Sequence, residues 1–160
     1  MKNLKAAMMT SISNVLETMF FMSIDFDVPL TKNPDDALRN EAATACRLGF
    51  SGPLSGCFFL VIPETLLLDM AVNFMGLEPD EIGAPQLEGT IKELVNMIAG
   101  NTFSTLNNQV EFQLALPELI NAREVSFEKA ENEIELLTET TSGCLAVKVV
   151  LHDKARHARG

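Results

Sequence analysis

The stretch from Gln86 to Leu106 constrains the fold most, because its apolar residues recur at the three- and four-residue spacing of a long helix. At ~100° per residue these side chains fall on one side of the helix. The predicted core-facing residues are Leu87, Ile91, Leu94, Val95 and Ile98. A helix with one continuous apolar stripe needs a second layer to pack on, so the rest of the chain is expected to provide that layer.

The opposite face of this helix has an unusual composition. Glu93, Asn96, Gly89 and Gly100 fall within ~60° of one another, where a solvated helix ordinarily carries Lys, Glu or Ala, and Asn101 lies beside them. Each exposed helical glycine costs about 1 kcal/mol relative to Ala, so we expect another molecule to approach this backbone closely. An amide can hold a water by donating and accepting at once, and a nearby carboxylate can anchor a cationic group of a partner.

A lone Glu-x-x-Asn spacing is a weak motif, and on an arbitrary helix both side chains are ordinarily solvated surface residues. Here the pair shares its face with two glycines and a second Asn, which favours a functional surface. No nucleophile, metal-ligand cluster or glycine-rich phosphate loop accompanies the pair. Any phosphate chemistry therefore needs groups from another molecule.

The remaining segments mix helical and strand patterns without strict alternation, within a predicted single domain over 1–160. Helices are predicted over Asn3–Met22 and from Pro63 to Gly76. The segment Ile24–Asn40 is predicted to be a short strand followed by a loop. Further strands are predicted from Glu41 to a turn at Ser51–Gly56, from there to Pro63, and over Val110–Leu116, Glu124–Glu128, Ile134–Thr140 and Cys144–His152. This pattern predicts an α+β, two-layer fold in which long helices pack on a largely antiparallel sheet.

A weak internal repeat accompanies this pattern. Ser13, Glu17 and Phe20 of the first helix superpose on Gly89, Glu93 and Asn96, and the tripeptide Ser-Gly-Cys twice opens an apolar strand. The repeat predicts a pseudo-twofold pair of halves. In that pair Phe20 takes the place that Asn96 has in the second half, on the polar face of the first helix.

Composition excludes several classes of function. A net charge of −10 and a pI near 4.6 argue against nucleic acid as a partner, because phosphate binding needs clustered Lys and Arg. The one basic cluster lies in 152–160, which is predicted to be a mobile tail. With no run of 18 apolar residues and no signal-peptide pattern, the chain is expected to be soluble, cytoplasmic and without membrane association.

The cysteines and histidines argue against a metal site and against a histidine-based catalytic centre. Cys46, Cys57 and Cys144 have no metal-ligand spacing and are interpreted as reduced, buried residues. His152 and His157 both lie in the predicted tail, where a catalytic triad is hard to build.

At the residues described above, the sequence resembles the chemotaxis phosphatases of the CheC, CheX and FliY family, and is most similar to CheX. The resemblance rests on the run ELVNMIAGN from Glu93 to Asn101, on the first helix with Glu17, and on the SGPLSG turn at Ser51–Gly56. It spans nearly the whole chain. The family motif usually has Asp or Ser four residues before the Glu, and this sequence has Gly89 there.

The resemblance implies a CheC-like fold, a homodimer, and a phosphatase that dephosphorylates the aspartyl phosphate of a CheY-type response regulator. It implies that Glu93 contacts the regulator's lysine and that Asn96 orients the attacking water. The protein then needs no cofactor of its own, because the regulator supplies Mg²⁺. CheC carries the motif on both helices and CheX on one, so Glu17 and Phe20 are interpreted as a degenerate second site.

Two other classes of function fit the same face. A non-catalytic adaptor would bind a response regulator, a flagellar protein or a chemotaxis protein without turnover. A structural dimer would pack the glycine-bearing face of the helix on its twin, and Gly100→Leu would then change the oligomeric state.

Overall fold

The fold was taken from a computed structural model that describes residues 2–26, 38, 42–106, 111–127 and 131–152. Within these residues three helices pack on a seven-stranded antiparallel sheet, which confirms the α+β, two-layer prediction. The helices are α1 (Lys2–Met19), α2 (Glu64–Met75) and α3 (Ala84–Leu106). The strands are β1 (Ile24–Asp25), β2 (Ala43–Ser51), β3 (Gly56–Pro63), β4 (Gln113–Leu114), β5 (Glu118–Ile120), β6 (Glu133–Thr140) and β7 (Gly143–Leu151). Short 3-10 helices cover Pro79–Glu81 and Ala122–Glu124.

The strand order is β1-β6-β7-β3-β2-β4, with β5 also pairing with β2. Two hairpins, β2–β3 and β6–β7, meet at the central β3–β7 pair, where Cys57 lies opposite Val150. Both central strands begin at the glycine of a Ser-Gly-Cys tripeptide. If the predicted repeat holds, its pseudo-twofold axis passes between β3 and β7.

Gly56 fixes how closely these two halves approach. A Cβ atom at this position would lie 2.0 Å from the carbonyl oxygen of Val150 and 3.0 Å from its carbonyl carbon. Backbone atoms cannot retreat as a flexible side chain could, so only glycine fits here. The close contact explains why the chain has glycine at the start of this strand.

The helices cover one face of the sheet and enclose the main core. Ser11 of α1 is fully buried, and its Oγ donates to the carbonyl of Ile98 in α3 at 2.8 Å. Near the start of α1, Asn3 and Thr10 line a cavity with Thr105 and Leu106 at the end of α3. These contacts make α1 and α3 antiparallel neighbours.

Helix α2 begins one residue later than predicted, at Glu64, and ends before Gly76 as predicted. Pro63 stands at the N-cap, where its missing N–H costs no helical hydrogen bond. Gly76 ends the helix with φ 67°, the left-handed conformation that glycine adopts without a Cβ penalty.

A second, smaller core lies on the other face of the sheet. Its buried members are Leu38, Ala45, Val61, Val125, Phe127 and Ala146. Beside it Lys148 is only 5% exposed: its Nζ donates to the carbonyl of Ser126 and lies 3.3 Å from Oε2 of Glu133. The segment Val125–Phe127 thus covers the face of the sheet opposite the helices. Lys148 is buried there and paired with Glu133.

Several predictions from local pattern need correction. The strand predicted over Glu124–Glu128 is wrong, because residues 122–124 form a 3-10 helix and the pairing with β2 is made by Glu118–Ile120 instead. The strand predicted over Val110–Leu116 shrinks to Gln113–Leu114. Residues 27–37 and 39–40 of the predicted loop, residue 41 of the strand predicted after it, and 153–160 of the predicted tail lie outside the described residues. His152 is described and exposed.

The burial of the three cysteines differs in part from the prediction. Cys46 is buried, and the burial raises the pKa of its thiol to about 11. Cys57 and Cys144 are only half-buried, although burial also raises the pKa of Cys57. A raised thiol pKa lowers the thiolate fraction, so Cys46 and Cys57 are poor nucleophiles.

The position predicted for Phe20 is wrong. Helix α1 ends at Met19, before the predicted end at Met22, and Phe20 turns into the core. Its side chain is 0% exposed and its ring stacks on that of Phe74 at a centroid distance of 5.1 Å. Met19, the last residue of α1, is 42% exposed.

Replacing Phe20 by Asn, to copy the spacing seen in α3, is expected to damage the fold. The change leaves a cavity and buries an amide, so we expect the free energy of unfolding to fall by about 3 to 4 kcal/mol. Chemical denaturation measures this loss. The neighbouring Phe21→Asn variant is the control and should lie within about 1 kcal/mol of wild type, since Phe21 is exposed. A loss below about 1 kcal/mol for Phe20→Asn would contradict this placement.

Candidate functional site

Helix α3 is a rigid support for the candidate side chains. Its first turn is closed by Gln86, whose Oε1 accepts from the N–H of Gly83 at 2.9 Å, as the third residue of a capping box does. Glu93 lies in the middle of this helix of 23 residues, well away from either end. A position inside a long packed helix holds a side chain more precisely than a loop does.

Most of the circumference of α3 is buried. Ile91, Leu94, Val95 and Ile98 are all in the core, as predicted, and Leu87 is half-buried. Two buried threonines, Thr90 and Thr102, satisfy their hydroxyls on carbonyls one turn earlier, at 2.7 and 2.6 Å. Only a narrow stripe of the helix remains accessible, and the candidate site occupies it.

Glu93 is exposed on this stripe and has no partner within the described part of the chain. The nearest cation in sequence, Lys92, pairs with Glu88 at 2.8 Å, one turn earlier on the helix. That pair leaves the Glu93 carboxylate without an ion pair or hydrogen bond among residues the structure describes. An uncompensated carboxylate can bind a cationic group of another molecule.

Asn96 lies one turn after Glu93, about 4.5 Å further along the axis, and is half-buried. Its amide makes no side-chain hydrogen bond with the described residues, so both the NH₂ group and the carbonyl oxygen remain available. Partial burial restricts its rotamers while leaving the amide accessible. Such an amide can orient a water molecule.

The predicted small residues lie beside this pair. At Gly100 a Cβ atom would meet nothing within 4 Å, and at Gly89 it would meet only the Cε of Met75, at 3.9 Å. No contact with the described residues therefore requires glycine at either position. Asn101 is half-buried, and its Oδ1 accepts from the Thr105 hydroxyl at 3.4 Å. The close approach predicted for this face is not made by the described chain itself.

Helix α1 offers only part of a second site. Glu17 is exposed, and its Oε1 accepts from the hydroxyl of Ser13 at 3.2 Å. Phe20, the position matched to Asn96, is in the core rather than on this face. The structure thus brings Glu93 and Asn96 together and does not bring Glu17 and Phe20 together on one surface.

The described parts of the chain contain neither a candidate metal site nor a candidate membrane span. No group of three or more His, Cys, Asp or Glu side chains there could hold a metal ion. Among the described helices, none is both long and apolar enough to cross a bilayer.

Comparison with protein-family models gives a match to "Chemotaxis phosphatase CheX" over residues 44–140, more than half of the chain. The chain belongs to the CheX family. The matched range contains Glu93 and Asn96 and leaves α1 outside. A comparison with curated protein sequences gave no significant match.

Solved structures of CheX and CheC-like proteins share the fold of this CheX-family chain. A CheC-like superfamily protein from Shewanella sp. PV-4 has TM-score 0.75 and 21% identity, covering 94% of this chain and 98% of that one. CheX from Desulfovibrio desulfuricans has TM-score 0.72 and 21% identity, covering 93% and 99%. The CheX–CheY–BeF3–Mg²⁺ complex from Borrelia burgdorferi has TM-score 0.66 and 17% identity, covering 92% and 97%. At these identities the likeness establishes the fold.

Proposed function

We propose that this chain is a phosphatase for the aspartyl phosphate of a CheY-type response regulator. Membership of the CheX family gives the reaction class, and a CheX of the same fold forms a complex with CheY. The observation that carries the proposal is the exposed Glu93 and half-exposed Asn96, one turn apart on the accessible stripe of α3. The Glu93 side chain has no described partner to compete with a regulator.

In the proposed mechanism the chain positions the regulator's lysine and the attacking water, and it supplies no nucleophile of its own. Glu93 anchors the lysine of the regulator's active site, and Asn96 holds a water molecule in line with the aspartyl phosphate. Water then attacks phosphorus, the bond to the aspartate oxygen breaks, and phosphate leaves. Mg²⁺, the phosphorylated aspartate and the lysine all belong to the regulator, which would act in the cytoplasm with this protein. Positioning is the main catalytic contribution in phosphoryl transfer, so two side chains can suffice.

Glycines at positions 89 and 100 support this mechanism. A regulator surrounds its phosphorylated aspartate with loops. These loops leave room for Asn96 to enter only if the neighbouring residues on the helix are small. Since a Cβ at Gly100 would meet no described residue within 4 Å, we attribute its small size to an approaching partner.

The proposal is tested by following phosphate release from a phosphorylated CheY-type regulator with wild type, Glu93→Ala and Asn96→Ala. Wild type should accelerate the decay, and each variant should be slower. Glu93→Ala should act mainly by weakening binding, and Asn96→Ala mainly on turnover. An Asn96→Ala variant as fast as wild type would reject the assigned mechanism.

A homodimer, implied by the family resemblance, forms part of the proposal, and the edge of the sheet at β4 and β5 is the surface that suits it. Three leucines are exposed there: Leu114 at 37%, Leu116 at 89% and Leu119 at 42%. Apolar side chains beside a short edge strand favour pairing with another copy.

Replacing Leu116 by Glu is therefore expected to weaken self-association by roughly tenfold or more, because it places a charge at the centre of this patch. Sedimentation velocity over a concentration series measures the change. Gly100→Leu is the matched control on the α3 face and should leave the dimer intact. Dissociation by Gly100→Leu and not by Leu116→Glu would place the interface on α3 instead.

A further inference from the structure

Phe21 is an exposed aromatic residue in a costly backbone conformation. Its side chain is 74% exposed, and its φ of 57° is the only positive value among non-glycine residues in the described chain. A residue with a Cβ adopts this left-handed conformation rarely, and bulky residues most rarely. Because the ring stays largely in water, its burial contributes little to folding that could offset this strain.

The conformation is held on both sides by hydrogen bonds. The N–H of Met22 donates to the carbonyl of Leu16 at 3.0 Å, and Nδ2 of Asn73 donates to the carbonyl of Phe20 at 2.9 Å. With Phe20 and Met22 both in the core, the backbone between them must turn outward and present residue 21.

The end of α2 is a comparable turn in which the left-handed residue is a glycine. There the same left-handed conformation, φ 67°, is adopted by Gly76. Glycine at position 21 would meet the backbone requirement with less strain and without exposing an aromatic ring. Phe21 is therefore not explained by folding, and strained, exposed positions of this kind are found at functional surfaces.

The position of Phe21 connects it with the proposed site. Since Ser11 lies beside Ile98 and the two helices are antiparallel, the end of α1 at Met19 lies about 12 Å further towards the start of α3, near the level of Thr90. Glu93 lies between these levels, so the turn that carries Phe21 begins about 5 Å from the level of Glu93, on a neighbouring helix whose axis is roughly 10 Å away.

Two contacts made by α2 link the turn after α1 to the start of α3. Asn73 of α2 bonds to the turn at Phe20, and Met75 of the same helix lies against Gly89 of α3. A typical protein interface buries about 800 Å² on each partner, which is wide enough to include both Phe21 and Glu93.

The geometry points to Phe21 as a docking residue for the response regulator whose active site engages Glu93. This inference rests on the proposed function and adds the kind of surface that the regulator must have. Beside its cationic active site the partner must offer an apolar depression that receives the ring of Phe21. Aromatic side chains that enter such pockets are common anchors of protein interfaces, and here the strained backbone holds the ring ready for binding.

Isothermal titration with a CheY-type regulator activated by beryllofluoride and Mg²⁺ tests the inference without requiring turnover. Phe21→Gly and Phe21→Asn should each raise Kd by roughly tenfold. Both suit the left-handed conformation, so thermal stability should be unchanged or higher. Phe21→Tyr keeps the ring and is the matched control, with a Kd within about twofold of wild type. At saturating regulator the Phe21→Gly variant should reach the wild-type kcat.

Phe21→Gly binding as tightly as wild type would overturn the inference and leave the proposed function standing. Wild type that binds the activated regulator but does not accelerate phosphate release would reject the phosphatase proposal, and the Phe21 variants would still decide the docking role. Absence of wild-type binding would overturn both.

Discussion

Replacing Asn96 by Ala is expected to lower the kcat for phosphate release from a phosphorylated regulator by about 100-fold, with little change in regulator affinity. The reason is that Asn96 is proposed to hold the attacking water, and misplacing a reacting group by about 1 Å costs a factor of this size. Stopped-flow or radiolabel assays at saturating regulator measure kcat directly. The binding measured with a beryllofluoride-activated regulator should stay within about twofold.

The same variant separates chemistry from folding. Asn96 is half-buried and in the middle of α3, where Ala is the better helix former, so stability should not fall. Asn101→Ala is a matched control, because it removes an amide from the same helix at a position with its own hydrogen bond to Thr105. If Asn101→Ala lost as much activity as Asn96→Ala, the loss would reflect a general disturbance of this helix and not the proposed role of Asn96.

The second large effect concerns the centre of the sheet. Gly56→Ala is expected to lower the free energy of unfolding by about 4 kcal/mol or to prevent folding, because the added Cβ would lie 2.0 Å from the carbonyl oxygen of Val150. Relief of that clash requires β3 and β7 to separate, and these strands join the two halves of the molecule. Urea denaturation followed by circular dichroism measures the loss.

Gly100→Ala is the control for this effect. A Cβ there meets nothing within 4 Å, so the substitution should raise stability by about 1 kcal/mol through helix propensity alone. Equal stability of the Gly56→Ala protein and wild type would mean that the central strands do not approach as closely as described.

Features that depend on local periodicity were predictable from the sequence. The apolar stripe of α3 and its polar face were found from spacing alone, as were the β2–β3 hairpin and the end of α2 at Gly76. In these segments the side-chain pattern and the packing agree, so local information is sufficient.

Features that depend on distant contacts were not predictable. The pattern of α1 continues to Met22, but Phe20 enters a pocket beside Phe74, and no glycine marks the turn at Phe21. Strand β5 forms where it pairs with β2, and Lys148 is buried because the Ser126 carbonyl closes over it. Partners far along the chain decide such positions, as tertiary packing commonly overrides propensity.

One measurement tests the central claim most directly: the decay of a phosphorylated CheY-type regulator in the presence of a substoichiometric amount of the wild-type chain. The proposed phosphatase predicts multiple turnovers, with a rate proportional to the concentration of the chain. Stable binding of the regulator with decay no faster than in its absence would contradict the claim, and would identify the protein as an adaptor that uses Glu93 and Asn96 for recognition.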